Sequence, residues 1–163
     1  MDAIVIGGGT TILTAGAQGP AGPIGLPGAE GQPGNGAAPS ISVLNASGVT
    51  LYRGMPVFME TDGSISKADA MSKVRMVGLV ATDVLPHNTY GLVQVDGMMD
   101  ATVLEWEVVT NSVGGIVVGA QYFLSDVPGR ITMTPNPAGA VAKVGRAVSA
   151  LRFIIDIEPP IYT

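Results

Sequence analysis

Residues 16–36 read GAQ-GPA-GPI-GLP-GAE-GQP-GNG. Glycine stands at every third position, at Gly16, Gly19, Gly22, Gly25, Gly28, Gly31 and Gly34. Three polyproline-II-like chains can wind about a common axis only where every third residue lacks a side chain, because nothing larger fits there. Proline takes the second place of a triplet at Pro20 and Pro23 and the third at Pro27 and Pro33, where its fixed φ suits an extended chain. A flexible linker has no reason to keep one register through seven triplets. The spacing predicts a collagen-like triple helix, a rod on the order of 60 Å long at ~3 Å per residue, and with it a homotrimer. Seven triplets are few, so a flanking domain must bring the three chains together and raise their effective concentration.

Residues 39–163 are expected to supply that domain. Apolar runs of strand length fall at 41–44, 49–52, 55–60, 74–82, 90–95, 101–109, 115–118, 121–124, 131–134, 140–148 and 151–157. Turn signals such as Asp62-Gly63, Asp96-Gly97, Gly114-Gly115 and Pro128-Gly129 separate them. No amphipathic helix beyond about two turns is visible, and residues 66–73 read as a short helical turn. The expected fold is all-β, a β-sandwich or small barrel, preceded by the collagen-like segment at 16–38 and a short N-terminal segment at 1–15.

Composition points to assembly. Charged residues are 13% of the 163, about half the roughly 25% of an ordinary soluble domain. So uncharged a surface leaves apolar patches that a partner must cover. The net charge is −5 and the eight basic residues, all at or beyond Arg53, are scattered. No cationic stripe exists to neutralise phosphates, so nucleic acid is not an expected partner. The absence of cysteine excludes a disulfide scaffold and thiolate metal sites. Neither a basic leader nor a run long enough to cross a bilayer stands out, and no membrane partner is expected.

The opening DAIVIGGG has the look of a strand and glycine turn from a dinucleotide site. Gly7 and Gly9 fit G-x-G-x-x-G, but Ile12 occupies the third glycine position and triplets begin at Gly16, where a helix should run. The plainer reading is a short strand with a glycine corner, able to add to a neighbouring sheet edge. Ile4, Val5, Ile6, Ile12 and Leu13 are its candidate anchoring residues.

Catalytic chemistry finds little support. His87 lies between Pro86 and Asn88 in an expected exposed turn, and one histidine without cysteine builds no zinc site by itself. Glu105 and Glu107 flank Trp106; in a strand both carboxylates share one face, which reads as a solvated surface before a glycosidase pair. Asp96 to Asp100 lacks the oxygen spacing of a calcium loop. Tyr90, Trp106, Tyr122 and Phe123 could form a sugar-binding platform, but core anchoring is the commoner use of such residues. No catalytic residue, metal or cofactor is expected, and the chain is not read as an enzyme.

The C-terminal two thirds resembles a domain that recurs in bacteriophage structural proteins, especially capsid decoration (head fibre) proteins and some tail fibres. The likeness rests on Gly54-Met55-Pro56-Val57, Val77-Gly78-Leu79-Val80-Ala81, Gly119-Ala120-Gln121-Tyr122-Phe123-Leu124-Ser125, Pro128-Gly129-Arg130-Ile131-Thr132, Val144-Gly145-Arg146-Ala147-Val148-Ser149 and the ending Phe153 to Ile161. The resemblance implies a trimeric structural virion protein, made in the host cytoplasm and placed on the outer surface of the capsid, with the major capsid protein as partner. The alternative it leaves open is a head or tail fibre whose β knob binds a host surface glycan. Either end could face the shell; the preferred polarity anchors residues 1–15 and projects the β domain.

Overall fold

Strand β1 (Ser40–Leu44) buries Val43 and half-buries Ile41, while Ser40 and Ser42 face out, the period-2 alternation of a sheet with one covered face. The computed structural model describes residues 38–162. The triplet glycines and the candidate anchor residues therefore lie outside the described residues. Asn35–Thr163 forms one unit.

β1 pairs antiparallel with β7 (Tyr90–Gln94), and β5 (Met76–Val80), β3 (Pro56–Met59) and β4 (Ile65–Lys67) complete a five-stranded sheet in the order β1-β7-β5-β3-β4. Asn45, just past β1, pairs in parallel with Ile65 at the start of β4, which draws the two edges of the sheet together. The buried Asn45 amide holds this corner by donating to the carbonyls of Val49 (2.8 Å) and Leu85 (2.9 Å). A two-stranded ribbon, β2 (Leu51–Tyr52) with β6 (Val84–Leu85), spans the connections. The second sheet has the order β10-β9-β12-β13-β8, from β8 (Gly97–Asp100), β9 (Gln121–Leu124), β10 (Ile131–Thr132), β12 (Lys143–Ala147) and β13 (Arg152–Ile155). β11 (Ala140–Val141) pairs with β14 (Ile161–Tyr162) beside it. The described domain is mostly strand, with antiparallel sheets and one helix.

The two five-stranded sheets follow one plan twice. β3, β4, β5, β7 and β1 correspond to β9, β10, β12, β13 and β8, strand for strand and register for register. Val57 pairs with Gly78 and Phe58 with Met76 across a bulge; Tyr122 pairs with Gly145 and Phe123 with Lys143 across the same bulge. The hydrogen bonds repeat too. Gly54 N donates to Val80 O (2.9 Å) and Val80 N to Met55 O (3.0 Å), as Gly119 N does to Ala147 O (2.8 Å) and Ala147 N to Ala120 O (3.0 Å). At each bulge the glycine is required by close approach. A Cβ on Gly78 would stand 2.3 Å from the Gln94 carbonyl oxygen, and one on Gly145 would stand 2.0 Å from that of Ile154, the corresponding residue.

The halves share one hydrophobic core and contribute unequal volumes to it. The first places Val57, Val80 and Val93 where the second places Tyr122, Ala147 and Phe153. Phe153 meets Trp106 at 5.4 Å and Tyr122 at 5.9 Å between ring centroids. Such tilted and edge contacts add about 0.5–1.5 kcal/mol each to the burial itself. Backbone bonds join the halves directly: Gly129 N to Ala68 O (2.8 Å), Ala70 N to Ser125 O (2.8 Å) and Ala140 N to Ala70 O (2.9 Å).

Three local expectations are corrected. The strand expected at 101–109 is instead helix α1 (Val103–Thr110). Thr102 caps it, with its hydroxyl accepting from Glu105 N at 3.2 Å while the Glu105 carboxylate accepts from Thr102 N at 2.7 Å. This reciprocal box satisfies the orphan N-terminal donors and outweighs the β-branched composition; Asn111 in the left-handed region ends the helix. Residues 115–118 form turns rather than a strand, because Gly114 and Gly115 both take positive φ. Residues 66–73 form no helical turn. They finish β4 and then bend around Asp69, whose carboxylate accepts from the backbone N–H of Met71 (2.8 Å) and Ser72 (2.6 Å).

Candidate interaction surfaces

The residues singled out for chemistry are dispersed. His87 sits in an exposed turn, where its Nδ1 accepts from Gly48 N at 3.1 Å. Because α1 replaces a strand, Glu105 and Glu107 point to different sides of a helix. Glu105 serves the cap, and Glu107 accepts from Gly114 N at 2.7 Å. Trp106 and Tyr122 are core residues, Phe123 is half-buried, and only Tyr90 of the four aromatics stands well out. Among the described residues no group of three or more histidine, aspartate or glutamate side chains is placed to hold a metal. The described residues also include no helix long and apolar enough to cross a membrane.

A surface groove of about 820 Å³ lies at the join between the halves, walled by Arg53, Asp83, Asp100, Glu105, Leu151 and Arg152 among others. Its charges are matched to one another. Arg53 pairs with Asp83 and, at 3.4 Å, with Glu105. Arg152 holds Asp100 through two bonds, Nε to Oδ1 at 2.7 Å and Nη2 to Oδ2 at 2.8 Å. That hydrogen bonding holds the Asp100 carboxyl below the usual aspartate range and raises the Arg152 guanidinium above its own.

The corresponding place in the first half is built differently. Register puts Ser42 where the second half has Asp100, and Leu92 where it has Arg152. Ser42 and Leu92 are paired across β1 and β7 as Asp100 and Arg152 are across β8 and β13. Here, however, nothing is charged. Residues 31–52 hold no aspartate, glutamate, lysine, arginine or histidine, and 84–95 hold only His87 of these. Yet this face is open to water: Tyr90 is 73% exposed and Leu92 48%. The second half borders it here: Gln94 Nε2 donates to the carbonyls of Asp96 and of Met98 in β8, both at 2.9 Å. Another ion pair of the first half lies toward β3 and β4, where Lys73 reaches Ser66 Oγ at 2.7 Å and its bond to Glu60 lowers that carboxyl's pKa. In the second half Lys143 bridges Asp156 (2.7 Å) and Glu158, which raise its pKa.

A smaller apolar surface lies on α1, where Leu104 (72% exposed) and Val108 stand one turn apart. Apolar residues occur on every side of this helix, whereas a surface helix ordinarily turns a polar face outward. Neither a family model nor a curated protein sequence matches the chain.

Proposed function

We propose that the protein is a trimeric structural component of a bacteriophage virion, a decoration protein on the outside of the capsid, with a collagen-like rod over residues 16–36 and the β domain as its folded end. The observation that carries this reading is the unbroken glycine register, which is followed after only five residues by a β domain with an uncharged, apolar, exposed face. Triplet glycines serve no purpose in a single chain, and an exposed apolar face serves none in a free monomer. The dispersal of His87, Glu105 and Glu107 favours a structural role over a catalytic one. The family resemblance of residues 54–161 supplies the virion setting, and the major capsid protein is the partner it implies.

The groove at the join of the halves favours one second reading, a fibre that binds a host surface glycan, because it offers carboxylates, guanidinium groups and the apolar side chain of Leu151 side by side. Electron microscopy of virions labelled with antibody to this chain separates the two. Label spread over the head is the expected result. Label confined to the tail tip would replace decoration by receptor binding, and its absence from virions would end both.

A further inference from the structure

We infer that the outer face of β1 and β7, with Ser42, Leu44, Tyr90 and Leu92 at its centre, is the surface through which the β domains of three copies of this chain meet. The inference rests on the trimeric reading above and adds where the copies touch.

Three arguments favour this contact. First, the duplicated plan contains its own control. At the same pair of outward positions the second half carries the Asp100–Arg152 ion pair, which water tolerates, and the first carries Ser42 and Leu92. The fold itself thus accepts charge at this place, so its absence from the first half is not a demand of the sheet. Depletion of charge around an exposed aromatic such as Tyr90 is the mark of the buried centre of an interface. Second, the chain is acidic, at −5 per copy, so copies repel one another except where a surface carries no charge. Third, connectivity selects the same strand. Only residues 35–39 separate the last triplet glycine, Gly34, from the first residue of β1. Six Cα steps from Gly34 to Ser40 reach at most about 22 Å, so on the trimeric reading chains joined at residue 34 would bring their three β1 strands within reach of one axis. The exposed face of α1 is the competing surface, and nothing ties it to the start of the chain.

The test grafts one half's solution onto the other. The full-length chain carrying Ser42→Asp together with Leu92→Arg acquires the ion pair that the second half already holds, on a backbone known to accept it. Sedimentation equilibrium of the full chain should give a trimer for the unaltered protein and a trimer for Leu104→Lys on α1. The double variant should need on the order of a hundredfold higher concentration to associate, as two or three apolar contacts per interface are lost. Far-ultraviolet circular dichroism must be unchanged in both variants. A double variant that stays trimeric at the concentrations of the unaltered protein would overturn the inference while leaving the trimer standing. So would dissociation by Leu104→Lys alone. A monomeric unaltered chain would instead remove the trimeric reading beneath it. Should the double variant fail to fold, Leu92→Cys in this cysteine-free chain gives the same answer: a short bismaleimide should link copies, and Val118→Cys should not. The reverse pattern overturns the inference.

Discussion

The two halves of the β domain share strand order, register, bulge and glycine, and differ in what they show to solvent. Matched positions carry Val93 and Phe153 inside, Leu92 and Arg152 outside. Inside, the halves share one core but fill it unequally: the second sets Tyr122 and Phe153 where the first sets Val57 and Val93, while Ala147 stands where the first has Val80. At the matched outward positions the second half carries the Asp100–Arg152 pair and the first carries Ser42 and Leu92. A common backbone plan therefore fixes neither the core composition nor the surface; the halves keep one geometry and differ in what they expose.

That comparison can be broken most forcefully in the core. Phe153→Ala should cost about 3–5 kcal/mol, because the ring touches both Trp106 and Tyr122 and leaves a cavity. Val93→Ala at the matched position should cost roughly half as much. Urea midpoints at one fixed protein concentration measure both, and equal losses would contradict the unequal division of core volume. Next come the bulge glycines. Gly78→Ala and Gly145→Ala each push a methyl into a carbonyl oxygen and should each cost roughly 2–3 kcal/mol. A harmless change at one site alone would show that the two bulges are not equivalent. The smallest effect belongs to the surface. The Arg152 hydrogen bond lowers the Asp100 pKa in the fold, so its stabilisation is complete above the ordinary aspartate pKa of 3.8 and fades as pH falls through the lowered folded value. Arg152→Ala should shift the midpoint slightly at neutral pH, less in high salt and not at all once Asp100 is protonated. Leu92→Ala at the matched position should show no such pH dependence.

Much of this architecture was legible in the residues. Alternation marked β1, β3, β5, β7, β9 and β13, because each has one wet and one covered face or a clear turn at its end. Helix α1 was read as a strand because VLEWEVV alternates apolar with acidic residues and includes β-branched valines. The overlooked sign was Thr102 three residues before Glu105, a capping box in plain sequence. The duplication left a trace in Gly54 and Gly119, Gly63 and Gly129, and Gly78 and Gly145, sixty-five to sixty-seven residues apart. Few side chains between them repeat, since core positions exchanged large for small and outer positions exchanged charged for apolar. The uncharged face was hinted at by the low charge content, but composition has no address. Only strand register could place Leu92 and Arg152 at the same site.

Trp106 is the chain's single tryptophan, wholly buried. Its ring lies 3.0 Å from where a Cβ on Gly54 would stand in the first half, and it donates to the carbonyl of Leu151 at 3.2 Å in the second. One fluorophore thus lies at the join between two copies of the same motif. Its emission is a gauge of their docking: loosening of either half wets the indole and moves the spectrum to the red. A change confined to the outer strands should leave the colour of the light as it was.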